Sequence, residues 1–184
     1  MKPSLVFQTG LEWQYRGKIC CFKNNNMKKL TIEDKSYIAG FLDGDGCVFA
    51  QIVRGKDYKY QFRIRVSVGF YQRKDKHWFI LKLKKLLGFG SARIRKDGMS
   101  EYVITGANPV ERVLLALKNH VIIKKKNVDL ILEIIEKKRN INSKEEFIQV
   151  CALVDKSAEL NYSKRRSVTS EVVSEVLLST PNFL

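Results

Sequence analysis

An α+β fold is the architecture this sequence predicts, with elements in the order α-ββ-α-ββ-α and further helices behind them. Three observations carry that prediction. Residues 61–70 alternate without a break, with Phe62, Ile64, Val66, Val68 and Phe70 on one parity and Gln61, Arg63, Arg65, Ser67 and Gly69 on the other. That is the period of a strand with one buried and one solvated face. Helix start and stop residues flank the strand region, with Thr31 before it and Gly88 within it, so helices and hairpins take turns along the chain. No segment repeats at a fixed period, which excludes a solenoid or a duplicated domain.

Taken in order, residues 1–29 carry Asn24-Asn25-Asn26 and the aromatics Trp13, Tyr15 and Phe22 without a period. They are expected to form an appended leader or mobile arm, or translated upstream sequence, ahead of a single domain over 30–184. Thr31, followed by Glu33 and Asp34, caps a helix running to about Asp43. Residues 47–54 read as a strand, and the turn Gly55-Lys56-Asp57 joins it to the alternating run as a first hairpin. A second helix spans Asp75 to Leu87 and stops at Gly88. Its apolar set Trp78, Phe79, Leu81, Leu83, Leu86 and Leu87 is expected in the core. Residues 91–96 and 101–105 form a second hairpin around Lys96-Asp97-Gly98, with Arg93 and Arg95 on one face and Ala92 and Ile94 on the other. Asn108 as cap, Pro109 at the first helical position and Glu111 at the third open another helix. Later helices are expected over 127–138, over 144–160 behind a Ser143/Glu146 capping box, and over 170–178.

Charge narrows the function classes. Lys and Arg number 34 against 19 Asp and Glu, a net +15. Residues 53–96 hold fourteen of those cations against Asp57 and Asp75 alone, so the excess is concentrated, as a nucleic-acid footprint is. The two hairpins would present Gln51, Arg63, Arg65, Arg93 and Arg95 outward. Arg bonds guanine bidentately and Gln adenine, which suits reading of a major groove. No run approaches the roughly 18 apolar residues of a membrane span, and the first residues lack a signal-peptide apolar core. Four cysteines (Cys20, Cys21, Cys47, Cys151) without a CxxC pair, and His77 and His120 alone, argue against a zinc site or a disulfide scaffold. A soluble, reduced, intracellular protein is expected.

The most distinctive stretch is residues 37–47, Tyr-Ile-Ala-Gly-Phe-Leu-Asp-Gly-Asp-Gly-Cys. Small residues at Ala39 and Gly40 admit another backbone, and the glycines permit a sharp helix-to-strand turn. Asp43 and Asp45 put hard oxygen ligands at the helix end, which suits Mg²⁺ completed by phosphate oxygens and water. A glycine-rich turn with solvated aspartates fits the same pattern. Residues 38–46 resemble, position by position, the nine-residue signature of the LAGLIDADG homing endonucleases. The resemblance continues through Ala50-Gln51-Ile52, Trp78-Phe79, Gly88-Phe89-Gly90, residues 132–136 and residues 150–155, and covers approximately 30–180. It is to the single-motif homodimeric type found in algal organelle introns.

This resemblance implies an αββαββα core with additional C-terminal helices and a saddle of antiparallel strands over double-stranded DNA. It implies a site-specific double-strand DNA endonuclease that cuts a long pseudo-palindromic site across the minor groove, leaves short 3′ overhangs and promotes intron mobility. An RNA-splicing maturase that binds its own intron RNA, or a non-catalytic DNA-binding protein, would be alternatives on the same fold. One motif per chain implies a homodimer through the motif helices. Geometry agrees, because a globule of this length has a radius of gyration of about 16 Å and one DNA turn already spans about 34–36 Å. Mg²⁺ is the implied cofactor, with Mn²⁺ substituting and Ca²⁺ supporting binding without cleavage. An organelle, chloroplast or mitochondrion, is the implied location.

Carried over by motif, Asp45 is the metal carboxylate and Gly44 contributes its backbone carbonyl, while Asp43 is structural rather than a ligand. Gln72, placed after the second strand, matches the position that orders the water network in relatives. Lys76 falls where relatives place an Arg and keeps the charge without the bidentate fork. Lys124, or one of its neighbours Lys125 and Lys126, matches the basic residue that stabilises phosphate charge. Gln51, Arg54, Tyr58, Arg63, Arg65, Arg93, Arg95 and Glu101 are the expected base readers. Lys56, Lys59, Lys164, Arg165 and Arg166 are expected on phosphates, which position without specifying. Gly69 and Val53 occupy outward positions where readout is lost or apolar. Cys47, His77 and His120 are expected to pack rather than to catalyse.

Overall fold

The computed structural model describes residues 27–163 and 166–179, together with the backbone of 12–15 and 18–21. Strands β1 (Glu12–Tyr15) and β2 (Lys18–Cys21) pair as a separate antiparallel ribbon. The domain then runs α1 (Ile32–Asp45), β3 (Gly46–Arg54), β4 (Phe62–Arg73), a 3₁₀ turn (Lys74–Lys76), α2 (His77–Leu87), β5 (Ser91–Ile94) and β6 (Met99–Thr105). It closes with α3 (Ala107–Leu117), α4 (Lys125–Arg139), α5 (Lys144–Leu160) and α6 (Ser170–Ser179). The order is the α-ββ-α-ββ-α of the sequence reading, with three helices behind it. No helix among the described residues is long and apolar enough to cross a membrane.

All four domain strands form one antiparallel sheet in the order β3-β4-β6-β5. Register pairs Gln51 with Arg65, Gly69 with Val103 and Arg93 with Glu101. Because side chains alternate, one face collects Val48, Ala50, Ile52, Phe62, Ile64, Val66, Val68, Phe70, Tyr102 and Ile104, all buried. Helices α1 to α5 pack on that face. Among the described residues the opposite face carries no helix; it displays Gln51, Arg63, Arg65 and Arg93, with Glu101 buried among them. An antiparallel sheet with one covered and one bare face is what the alternation demands.

Helix α1 starts where its cap chemistry predicts. Thr31 Oγ1 accepts from Asp34 N–H while the Asp34 carboxylate accepts from Thr31 N–H, a closed capping box. It ends at Gly46, where a Cβ would lie 2.8 Å from Leu42 Cα and 2.9 Å from the Leu42 carbonyl. Only glycine lets the chain pass from helix into β3 this tightly.

The structure corrects several expectations. Strand β4 continues to Arg73, so Gln72 lies inside it rather than after it. On α2 the buried stripe is Ile80, Leu83 and Leu87, the i, i+3, i+7 series. Trp78 and Leu81 fall off that stripe and are 64% and 47% exposed. Helix α3 begins at Ala107 with Gly106 as its cap, at φ 110°, and Asn108 does not cap it. Asn108 Oδ1 accepts instead from Arg139, whose guanidinium also clasps Glu111. Pro109 is tolerated because its missing N–H is one the first turn leaves unpaired anyway. In the α5 capping box Ser143 accepts from Glu146 N–H, but the Glu146 carboxylate accepts from Asn142 rather than Ser143. Ahead of α1, Met27 packs against the core and Lys28 N–H donates to the Leu86 carbonyl, so the last residues assigned to the extension touch the domain.

Candidate functional site

The end of α1 gathers the polar groups of the motif. Asp45 is exposed, and Gln72 Nε2 donates to its Oδ2 at 2.9 Å. The pairing follows from register: Gly46 lies opposite Phe70, so Gln72, two residues further along β4, reaches the last residue of the helix. The other Asp45 oxygen has no protein donor among the described residues. Gly44 sits in the last turn, whose carbonyls have no intrahelical donor.

Asp43 has a different task. Its Oδ2 accepts from Ile122 N–H at 2.8 Å and Ile123 N–H at 3.2 Å, and its Oδ1 from Lys124 N–H at 2.9 Å. Three backbone donors converge on one carboxylate and hold the loop before α4 against the motif turn. This arrangement swings the Lys124 ammonium onto the Asp43 carbonyl, where it donates. Lys125 and Lys126 point into solvent as the first residues of α4. Of the three lysines, therefore, Lys124 is the one brought to the carboxylate turn.

A divalent cation is a chemical fit here, but only half of one. Exposed carboxylate and carbonyl oxygens are hard donors suited to Mg²⁺. Among the described residues no group of three or more His, Cys, Asp or Glu side chains comes together. Asp45 and Gly44 would supply ligands from this chain, and water, phosphate oxygens or a second chain would supply the rest. Lys76 is not drawn into this group: its ammonium pairs with Asp75 at 3.6 Å on the exposed 3₁₀ turn.

On the bare face of the sheet the expected readers sit as the alternation required, with exceptions. Arg65 donates to Gln51 Oε1 at 2.7 Å across the strands, so Gln51 presents its amide donors and not the bidentate edge adenine needs. The Arg63 guanidinium stacks on the Tyr58 ring at 4.9 Å, and Gly55 leaves room for that ring, which a Cβ would meet at 2.6 Å. Glu101 is 9% exposed and accepts from Arg93 Nε, with Arg95 Nη1 3.8 Å away and Arg95 Nη2 bound to Asp97. The carboxylate thus orients two arginines rather than facing a base. Arg54 takes the opposite parity and stacks over Phe62 at 5.6 Å. Lys56 lies exposed in the hairpin turn, and Lys59 covers Tyr60 at 5.1 Å. Arg166 is not free for phosphate, since it pairs with Asp155 at 2.6 Å. Lys164 and Arg165 lie outside the described residues.

One outward residue escaped the sequence reading. Tyr71 continues the alternation past Phe70, and its hydroxyl accepts from the Cys47 thiol at 3.6 Å. Its ring fills the space above Gly69, where a Cβ would stand 2.7 Å from the Tyr71 oxygen. Gly69 is therefore no bare patch of lost readout but the floor under a tyrosine. Burial raises the Tyr71 phenol, and the Cys47 bond adds to it. Burial also raises the Cys47 thiol, against the smaller opposing pull of Tyr71, so Cys47 stays protonated and is no nucleophile. Following the alternation one residue further would have found Tyr71. His77 and His120 pair with Ser100 at 2.6 Å and Ser36 at 3.1 Å.

Comparison with known proteins meets this geometry from outside. A family model described as LAGLIDADG endonuclease matches residues 38–137. The chain is 35% identical over 142 residues to the DNA endonuclease I-CvuI of Chlorella vulgaris, covering 77% of this chain and 88% of that one. It is 37% identical over 142 residues to the DNA endonuclease I-CreI of Chlamydomonas reinhardtii, covering 77% and 86%. A crystal structure of I-CvuI with the I-CreI target in the presence of 2 mM Mg, in which the DNA is not cleaved, superposes with a TM-score of 0.75 at 35% identity over 78% of this chain and 92% of that one. A second holds I-CvuI with its own target in 2 mM Ca. The archaeal intron-encoded homing endonuclease I-Vdi141I, complexed with DNA, shares the fold at TM-score 0.68 and 18% identity over 78% of this chain and 93% of that one.

Proposed function

The chain belongs to the LAGLIDADG endonuclease family, and on that premise we propose that it is a homing endonuclease which cuts both strands of a specific DNA site with divalent metal ions. The observation that carries the reading is the exposed Asp45 carboxylate, held by Gln72 and flanked by Lys124, at the margin of a cationic sheet face. The divalent ion, when bound, supplies Lewis-acid charge for the scissile phosphate and a water of lowered pKa. Asp45 and the Gly44 carbonyl hold it. Gln72 fixes the carboxylate through Nε2 and keeps a second amide proton for a water. Lys124 places positive charge beside the turn, where phosphate charge builds up as the bond breaks. Arg63, Arg65 and Arg93 present donors to base edges, and Glu101 holds Arg93 by Nε so that its terminal nitrogens remain for guanine. Residues 30–184 form the endonuclease domain and 1–29 an extension in this proposal. Mg²⁺ is the proposed metal, and an organelle the proposed place of work.

A homodimer through α1 is part of the same proposal, and two glycines support it. A Cβ at Gly40 or Gly44 would meet nothing within 4 Å, so the isolated chain has no packing reason for either. Glycine inside a helix costs about 1 kcal/mol relative to alanine, yet both face outward. The flanks are apolar: Tyr37, Trp78, Ile122 and Ile123 are 62%, 64%, 82% and 76% exposed. A second copy of α1 laid on the glycines would cover these side chains and bring two Asp45 carboxylates together. Their mutual repulsion would then ease when cations bind. The same symmetry makes the target pseudo-palindromic.

The test is incubation of the purified protein with plasmid carrying the uninterrupted insertion site, with Mg²⁺ or with EDTA. A metal-dependent double-strand break at one position is expected, and Asp45→Asn should bind the site in Ca²⁺ without cutting it. Absence of any metal-dependent break would sink the endonuclease reading and leave intron-RNA binding as the use of the cationic face.

A further inference from the structure

We infer that Tyr71 is a specificity-determining residue whose hydroxyl, oriented by the Cys47 thiol, donates to the base pair lying over Gly69; the inference rests on the DNA-cutting function proposed above. Strand register fixes the setting. Cys47, Gly69, Val103 and Ser91 stand opposite one another across β3, β4, β6 and β5. Phe49, Ser67 and Thr105 form the neighbouring row of the same parity. These two rows make an uncharged band on the bare face. Gln51 and Arg65 lie beyond it on one side, Arg93 on the other. Within the band Phe49 and Val103 offer only carbon, the Ser67 and Thr105 hydroxyls bond each other at 3.1 Å, and position 69 has no side chain at all.

Tyr71 fills that gap from the next row. A Cβ on Gly69 would stand 2.7 Å from the Tyr71 oxygen and 3.0 Å from ring carbons Cε2 and Cζ. The phenol is therefore laid back along β4, and its hydroxyl answers for position 69 rather than for position 71. Any side chain at 69 would evict it. The thiol then sets its direction. Cys47 Sγ donates to the Tyr71 oxygen at 3.6 Å, and among the described residues the hydroxyl makes no other hydrogen bond. A phenol is a stronger donor than a thiol, so beside a base acceptor both protons are used when S–H points at the phenol and O–H points at the base. In the major groove such acceptors are purine N7, guanine O6 and thymine O4, whereas cytosine presents only its amino donor. Cytosine on the contacted strand is accordingly the base this hydroxyl rejects.

Phenylalanine is the discriminating substitution, because it keeps the ring over Gly69 and removes only the hydroxyl. The experiment measures thermal melting, and affinity in Ca²⁺ for the insertion-site duplex and each of its single-base-pair variants, for the wild type, Tyr71→Phe, Cys47→Ala and Cys47→Ser. At one base pair per half-site the wild type should bind the cytosine variant about 3- to 10-fold more weakly. Tyr71→Phe should lose that preference and no other, with its melting temperature unchanged. Cys47→Ala should lose part of it, and Cys47→Ser, which restores a donor, should keep it. Unaltered discrimination in Tyr71→Phe would overturn the inference. So would a loss spread evenly over all variants, which makes the hydroxyl a backbone contact, or a lowered melting temperature, which makes it structural. Full discrimination in Cys47→Ala would overturn it too, since the thiol would then orient nothing. Wild-type protein that binds the insertion site no better than an unrelated duplex would remove the site-specific endonuclease reading as well, and only that outcome touches both.

Discussion

Replacing Asp43 by Asn tests whether the first aspartate of the motif turn serves the loop or the metal. Asn keeps one acceptor oxygen, whereas Asp43 uses both: Oδ1 for Lys124 N–H and Oδ2 for Ile122 and Ile123 N–H. One or two of the three donors lose their partner, and those remaining lose charge assistance. Bonds to a charged group contribute about 1.5–3 kcal/mol each, but this loop is exposed and water replaces part of the loss. A net destabilisation of about 1.5–3 kcal/mol follows, or roughly 4–10 °C in melting temperature for a domain of this size. Freed from the turn, the Lys124 ammonium loses its place by an ångström or more, which costs about 10- to 100-fold in cleavage rate. Binding of the site in Ca²⁺ should change little. Hydrogen exchange gives the decisive readout, because the amides of Ile122, Ile123 and Lys124 should be protected in the wild type and open in Asp43→Asn. Lost cleavage with those amides still protected would refute the reasoning and make Asp43 a metal ligand.

Other expectations are shorter. Lys124→Met should cut cleavage strongly while Lys125→Met and Lys126→Met stay within a few-fold of wild type; equal losses in all three would dissolve the assignment. Glu101→Gln releases Arg93 and Arg95, and should relax discrimination at one base pair per half-site by about 1–3 kcal/mol, measured as affinity for single-base variants of the site. Gly69→Ala should cost about 1–2 kcal/mol by crowding Tyr71 and far less in a Tyr71→Ala background, a non-additivity that chemical denaturation measures. The Arg139 guanidinium holds Glu111 below the ordinary carboxylate pKa. A lowered folded pKa stabilises above the unfolded value, about 4.3, and that stability disappears as pH falls through the folded one. Glu111→Gln should therefore lower the melting temperature slightly at neutral pH, this being a largely exposed pair, and the gap to wild type should close in acid.

Much of this site is legible one residue at a time. Alternation over 61–70 placed Arg63 and Arg65 on a solvated face because the period of a strand admits no other arrangement. The apolar spacing of α2 was harder, since 78, 79, 81, 83, 86 and 87 span the whole circumference of a helix. Only contact with β4 to β6 selected the stripe at 80, 83 and 87. Glu101 read as a base contact because its parity was right. Its engagement with Arg93 and Arg95 depends on β5 and β6 pairing in one particular register.

By itself, the sequence determined the element order, the capped start of α1, the cationic face and the family, because caps, periods and a nine-residue motif are local properties. Tertiary structure alone decided which lysine joins the carboxylate turn, since Asp43 and Lys124 are 81 residues apart and meet through the Lys124 N–H on the Asp43 carboxylate and the Lys124 ammonium on the Asp43 carbonyl. It also decided that Arg166 is paired and that Tyr71 covers Gly69. Each of these depends on where a distant segment comes to rest, and no local pattern encodes that.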